Sequence, residues 1–410
     1  MSALLQPSNS SPYHRYYSVN CSAVFAGDKF LLHKIYWNNV NDPVRVPSDD
    51  EIADNWFQDC GKYKEDRNYP TRALSKEEEE FPIAYAIVTY KDAAQVERLL
   101  RSIYQPQNVY CIHTDLKSNA NFSRAIENLA KCFDNVFIAS KLEKVQWGGI
   151  SATLADLHCM EDLLRHPVPW KYFINLCGQD FPLKTNFEIV QQLKAYNGHN
   201  CISGYPVEKG SGFETRYKYK YFSPLLTISP VLVMSSNGRP QEKDPPPFNI
   251  TIYKGDTYIA ATRKFVDFVV NSNISKAFLA WLADTYVPDE MFTNSLQRLP
   301  EAPGGYPYGT YECNTKFRRW HSDKTIMPCH GKYVRGLCIF TSDYLHILKR
   351  QPHLFVNKFH YDFEPITMQC MEELLEYRRK WKRAIKQVMD FPVTNYSWQH
   401  YISASYVPGI

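Results

Sequence analysis

Trp170 to Asn186 reads WKYFINLCGQDFPLKTN. Tyr172-Phe173-Ile174-Asn175-Leu176 is a short aromatic, apolar and β-branched run that stops at Cys177-Gly178, the pattern of a buried strand entering a sharp turn. Gln179 and Asp180 then supply polar groups, Phe181-Pro182 block a helix, and Asn186 suits the N-cap of the amphipathic run FEIVQQLKAY. The stretch reads as strand, loop and helix. Ligands of open α/β sheets sit beyond the carboxyl ends of strands, so the loop from Cys177 to Lys184 is either a site wall or an ordinary connection within a core.

Working outward, the same alternation recurs on the N-terminal side. FPIAYAIVT (Phe81–Thr89) is a continuous apolar run suited to a strand buried on both faces. Asp92 then offers an N-cap for AAQVERLLRSIY, in which Val96, Leu99, Leu100 and Ile103 recur at helical spacing. Val109–His113 is a second strand ending at Thr114-Asp115, NFSRAIENLAKCF a helix, Val136–Ala139 a third strand, and Ile150 to Arg165 a further helix. Strands alternating with helices of this length predict βαβ units, a mainly parallel sheet and right-handed crossovers.

The flanks look different. Residues 1–80 are polar, with turn chemistry at Asp42-Pro43 and Pro47-Ser48-Asp49-Asp50 and a charged run at Lys76–Glu80. They read as an irregular stem tied down by Cys21 and Cys60. Beyond residue 200, the RYKYKYF repeat and Asp244-Pro245-Pro246-Pro247 suggest loops around an acceptor cleft, followed by a strand at Thr257–Thr262 and a helix from Lys264 to Ser272. Glu372 to Gln387 reads as a charged, solvated helix.

Composition narrows the class. The 410 residues carry a net charge of +4, too mild for a nucleic-acid surface. An aromatic share of 15% suits stacking on sugars. Eleven cysteines and the sequons at Asn9, Asn20, Asn121, Asn249, Asn273 and Asn395 favour an oxidising secretory compartment, with disulfides and at least one free thiol. Cys329-His330 followed by Cys338 is a poor zinc pattern. No segment has the ~18 consecutive apolar residues of a membrane span, and Met1–Leu5 lacks signal-peptide features. An anchoring or targeting segment outside this sequence is therefore expected.

Several residues could carry chemistry. Asp115, at a strand end, could meet a ribose or base, or cap a turn. Asp289-Glu290 in DTYVPDE offers a helix-start charge and a general base, while sequence neighbours make a poor glycosidase pair. Arg335 in YVRGLCIF and Lys358 in HLFVNKF either snorkel or clamp a diphosphate.

FPIAYAIVTYK, IYQPQNVYCIHTDLKS, CFDNVFIASKLE, ADLHCM, WKYFINLCGQDFPLKTN, DTYVPDE, VRGLCIF and HLFVNKF occur in an order that resembles the β-1,6-N-acetylglucosaminyltransferases of mucin core 2 and I-branch synthesis, across roughly residues 20 to 371. Protein xylosyltransferases are similar at greater distance. The resemblance implies an α/β GT-A fold: a Rossmann-like, mainly parallel sheet with helices on both faces beside an acceptor-binding half. It divides the chain into a stem (1–80), a catalytic domain (81–371, with a nucleotide-sugar half to residue 200) and a C-terminal extension (372–410). It further implies a UDP-GlcNAc donor, an O-glycan or glycoprotein acceptor, no divalent metal or other cofactor, no nucleic-acid partner, and a homodimer. A Golgi luminal location behind a type II membrane anchor follows in the same way.

Carried over residue by residue, Asp115 would contact the donor uridine, Arg335 and Lys358 would neutralise the diphosphate in place of a metal, and Glu290 would deprotonate the acceptor 6-hydroxyl. Trp320 in KFRRW would pack on the acceptor sugar. The resemblance pairs Cys21 with Cys370, Cys60 with Cys132, Cys111 with Cys159 and Cys329 with Cys338, leaving Cys177 free near the donor. Cys201 and Cys313 are extra here and could pair. Sequons at Asn20, Asn121, Asn249 and Asn273 are the candidate glycosylation sites. The acceptor side departs from the pattern: Ser203, Ser211 and Glu214 fall where the family has charged contacts, Ser322 replaces an aromatic residue, and an insertion spans about Pro230 to Pro247. The rival readings are a protein xylosyltransferase and a non-catalytic glycan-binding relative.

Overall fold

The computed structural model describes residues 7–8, 16–41, 46–224, 229–306, 311–323 and 327–385. Its centre is a five-stranded sheet. Four parallel strands, β1 (Ile83–Thr89), β2 (Val109–Thr114), β3 (Val136–Ile138) and β4 (Tyr172–Cys177), are joined antiparallel at one edge by β5 (Ala260–Thr262), in the order β3-β2-β1-β4-β5. Helices α1 (Ala93–Ile103), α2 (Ala120–Lys131) and α3 (Ile150–Arg165) supply the crossovers, and α4 (Asn186–Ala195) follows β4. The α/β class and mainly parallel sheet agree with the sequence expectation.

Alternation along β1 builds both layers. Ile83, Tyr85 and Ile87 enter the core shared with α1 and α2, whereas Ala84 and Ala86 face the second core with Leu157, Cys159 and Met160 of α3. Large side chains on one face and alanines on the other let α3 approach closely. Full burial of each large apolar side chain contributes about 1.5–3 kcal/mol.

Local details correct several expectations. The cap of α4 is Thr185, not Asn186, in a capping box with Glu188. Asp92 stands at the N-cap position of α1 with φ 69° and makes no side-chain cap. The cap comes from the opposite side of the chain, as Asp49 Oδ1 accepts the Ala93 N–H at 2.8 Å. Asp180–Pro182, expected as loop, forms a short strand in a separate three-stranded sheet with Phe355–Asn357 and Lys316–Phe317.

Among the described residues, the supposed stem is largely helical from Cys21 onward. Its helices Cys21–Ala26, Lys29–Asn41, Asp49–Asn55, Cys60–Asp66 and Lys76–Glu79 bury Val24, Ile35, Ile52, Trp56 and Tyr63 in the core of α1 and α2. Arg67 and Glu97 form a fully buried ion pair, and the hydroxyls of Tyr63 and Tyr69 both donate to Glu97 Oε1 at 3.0 Å. A buried charge tolerates that position only when so completely bonded. The C-terminal helix Pro365–Ile385 also docks rather than extending into solvent: Glu372 pairs with Arg98 and Arg101, Arg378 reaches the carbonyls of Leu183 and Lys349, and Arg379 that of Ser102.

Disulfides join Cys21 to Cys370, Cys60 to Cys132, Cys329 to Cys338 and Cys201 to Cys313. The expected Cys111–Cys159 bridge is absent. Both are buried thiols with Sγ atoms 2.8 Å apart, facing each other from β2 and α3. Of the sequon asparagines, Asn20, Asn249 and Asn273 are exposed and Asn121 is half-buried, while Asn9 and Asn395 lie outside the described residues. No helix among the described residues is long and apolar enough to cross a membrane.

Candidate active site

The carboxyl edge of the parallel sheet gathers the candidates. Asp115 follows β2, and its N–H donates to Thr89 O at the end of β1. On the other side of β1, Gly178 N–H donates to Val88 O, which puts Cys177 at the end of β4 on the same edge. A Cβ on Gly178 would lie 2.2 Å from Thr89 Oγ1, so this turn admits no side chain. Asp115 is already paired: Lys117 Nζ lies 2.6 Å from Oδ2 and also donates to Val145 O.

Cys177 heads a buried polar knot. Its N–H donates to Asp180 Oδ2 at 2.7 Å, Asn357 Nδ2 donates to Asp180 Oδ1 at 2.7 Å and to Cys177 Sγ at 3.3 Å, and Lys316 completes a buried ion pair with Asp180. Burial, then the Asp180 charge, pushes the thiol up, which keeps it protonated and unreactive.

Lys358 follows Asn357 directly. Burial holds its amino group below the usual lysine range; Cys177 and Asp180 oppose that shift, whereas the positive fields of Arg335 and Lys91 add to it. Arg335 sits at the tip of the hairpin Tyr333–Val334/Leu337–Cys338, where Arg335 (φ 52°) and Gly336 (φ 79°) make the two-residue turn. Among the described residues neither cation forms an ion pair with a carboxylate. Trp320 lies on this hairpin: it bridges to Leu337, and its ring passes 3.5 Å from where a Gly336 Cβ would stand, with 42% of its surface exposed.

Glu290 ends the short turn Pro288–Glu290, and Arg216 Nη1 donates to its Oε2 at 2.8 Å. Its carbonyl accepts the Gly255 N–H at 2.9 Å. The neighbouring Asp256 pairs with Arg318, whose guanidinium lies 5.9 Å from the Trp320 ring. The loop after β3 connects the other end: Leu116 N–H donates to Glu143 O and Val287 N–H to Gly148 O. Glu290 is thus linked through Gly255, Asp256 and Arg318 to Trp320, Trp320 to the Arg335 hairpin, and Lys358 to Arg335 through its charge, while Asp115 lies on the sheet edge that the loop after β3 adjoins. Ser203 is buried, its Oγ accepting the Cys313 N–H at 3.2 Å, so it is not a rim residue. Among the described residues no cluster of three or more His, Cys, Asp or Glu side chains is arranged to hold a metal ion.

Sequence reasoning placed Asp180 in a candidate site wall but missed its partners Lys316 and Asn357, and it missed Arg216. Lys316, Arg318 and Trp320 alternate with period two, the spacing of one strand face, although only Lys316–Phe317 is a strand and Trp320 stands in an isolated bridge.

The family model for Core-2/I-Branching enzymes matches residues 83–349. The chain belongs to this family. Its relatives are glycosyltransferases, and so is this chain. It is 39% identical to the mouse beta-1,3-galactosyl-O-glycosyl-glycoprotein beta-1,6-N-acetylglucosaminyltransferase 4 over 88% of this chain and 80% of that protein. With the human N-acetyllactosaminide beta-1,6-N-acetylglucosaminyl-transferase it shares 43% identity over 76% of this chain and 77% of the relative. With the human beta-1,3-galactosyl-O-glycosyl-glycoprotein beta-1,6-N-acetylglucosaminyltransferase 3 it shares 39% over 88% and 83%.

Proposed function

We propose that this chain transfers N-acetylglucosamine from UDP-GlcNAc to the 6-hydroxyl of a GalNAc or galactose in a glycan, with inversion and without a divalent metal. The observation that carries this reading is the pair of cations, Arg335 exposed and Lys358 half-buried, in which the Arg335 charge acts on Lys358 and neither has a carboxylate partner among the described residues. A half-buried ammonium without a counter-ion is costly, and an anionic ligand such as a diphosphate would offset that cost.

In the step proposed, the acceptor oxygen attacks the anomeric carbon, the bond from that carbon to the phosphate oxygen breaks, and UDP leaves with the electron pair. Glu290 takes the hydroxyl proton. Arg216 donates to Oε2, which leaves Oε1 for the acceptor. Arg335 contributes a planar fork and Lys358 a mobile point charge where negative charge develops. Trp320 gives the acceptor sugar an indole face, and Asp115 meets the uridine as Lys117 swings aside. A Golgi luminal site fits the four disulfides and exposed sequons.

The test is transfer from UDP-GlcNAc to a Galβ1,3GalNAc acceptor in excess EDTA, with UDP-xylose run in parallel. Transfer of N-acetylglucosamine despite the chelator is expected. Transfer of xylose alone would overturn the donor assignment, and no transfer from either donor to core 1 or lactosamine acceptors would favour a glycan-binding relative.

A further inference from the structure

Asp289 and Glu290 are neighbours in the chain, yet they face different surroundings. Glu290 meets Arg216, whereas Asp289 lines a small cavity with Thr153, Asp156, Asn175, Thr257 and Thr293. One Asp289 oxygen accepts the Thr257 hydroxyl at 2.9 Å, and the other is buried without a partner. Thr153 Oγ1, in the same cavity, is also buried and unpartnered.

The contacts continue from Thr257 into the body of the fold. Asn175 Nδ2 donates to the Thr257 carbonyl at 3.0 Å and to Asp156 Oδ2 at 2.8 Å, while Asn175 Oδ1 accepts the Ile259 N–H at 2.8 Å. Asn175 stands on β4 and Asp156 on α3. The Glu290 turn is thereby tied to the sheet and to a core helix by side chains of Asp289, Thr257, Asn175 and Asp156.

That turn needs holding. Val287, immediately before it, is a β-branched residue at φ 56°, a conformation that costs on the order of 1–3 kcal/mol and persists only where surrounding contacts enforce it. The Val287 N–H to Gly148 O bond fixes one side of the turn and the Gly255 N–H to Glu290 O bond the other. Asp289 is its side-chain anchor. Burial, above all, pushes both acids of the cavity up, Asp156 to about 7 and Asp289 to about 6. The Asp289 charge adds to the first shift and the Glu290 charge to the second, with Lys316 and Arg216 opposing them respectively. Such surroundings suit an acid pair that carries a proton inside the fold.

We propose that Asp289 is a positioning residue for Glu290, acting through the Thr257–Asn175–Asp156 chain so that the base is aimed from beneath while Glu290 Oε1 is left for the acceptor. This rests on Glu290 as the base.

The experiment compares Thr257→Val, Thr257→Ser and Asp289→Ala in the full chain, reading kcat and the KM for UDP-GlcNAc separately, with Glu290→Gln alongside. Thr257→Val should lower kcat about tenfold, the size expected when a positioning contact is lost, at unchanged donor KM. Thr257→Ser should restore it, because the hydroxyl rather than the methyl is what acts, and Asp289→Ala should lose at least as much as Thr257→Val. Wild-type kcat in Thr257→Val, or a loss that Thr257→Ser does not restore, overturns the proposal. If Glu290→Gln kept full transfer, the reading of the base itself would fall. Inactive Glu290→Gln beside fully active Thr257→Val would defeat the positioning role alone.

Discussion

The two ends of the candidate site handle charge in opposite ways. At the diphosphate end, Arg335 and Lys358 stand together without a carboxylate partner among the described residues, and burial weakens the hold of Lys358 on its proton. At the base end the partners are already in place: Glu290 pairs with Arg216, and one Asp289 oxygen accepts the Thr257 hydroxyl. One end waits for the ligand to bring its counter-charge, while the other is assembled before any ligand arrives. Variants at the first should therefore change binding, and variants at the second the rate of the chemical step.

The largest expected effect lies at the base end. Glu290→Gln should keep UDP affinity and lose transfer by roughly two or more orders of magnitude, as general-base losses commonly do. Single-turnover rates and UDP titration check this, and weakened UDP binding with a normal rate would reverse the comparison. Next comes the diphosphate end. Lys358→Ala should weaken UDP affinity about tenfold or more, in line with loss of one charge-assisted contact, and calorimetry at two salt concentrations reads it directly. Unchanged affinity would remove Lys358 from the clamp.

A smaller change, of about threefold to tenfold in kcat, is expected for Arg216→Gln, since one hydrogen bond to the base is altered while the turn survives. An effect confined to the KM for UDP-GlcNAc would show that the two ends are not separable. The smallest effect is on stability. Burial raises Asp156 from 3.8 to about 7, so the folded chain favours the protonated acid. The stability this group contributes is complete below its unfolded value near 3.8 and is lost as pH climbs through about 7. Asp156→Asn keeps the acceptor for Asn175 and removes the charge. Its melting temperature should match wild type at about pH 4 and exceed it by a growing margin up to about pH 7, then run parallel. A gap independent of pH would mean packing, not ionisation, separates the two proteins.

How much was legible from residues alone varied with how local the cause was. The run Phe81–Thr89 declared its strand because seven consecutive residues lie within the sheet and little else accommodates such a run. Cap residues were less readable. Asn186 has cap chemistry, but Thr185 stands three residues before Glu188 and forms the reciprocal pair. Asp92 precedes α1, yet Asp49, 44 residues before Ala93, makes the bond. The first 80 residues looked like a stem because their apolar residues are sparse and scattered among charges. Their burial depends on a cleft that α1 and α2 create. Arg216 carried no sequence signal, and Asp289 stood out only as a helix-start charge or base beside Glu290, because the partners that define both are distant in the chain.

By itself, the sequence determined the parallel α/β sheet, its crossovers, and the residue types at the site, because periodicity and strand-end chemistry are local properties that survive without partners. Only the tertiary structure decided which cations remain unpaired, which carboxylate faces the cleft and which the cavity, and that Cys201 bonds Cys313 while Cys111 and Cys159 remain thiols. Those outcomes are set by contacts across tens to hundreds of residues, where burial and neighbouring charge, rather than residue identity, fix what a side chain does.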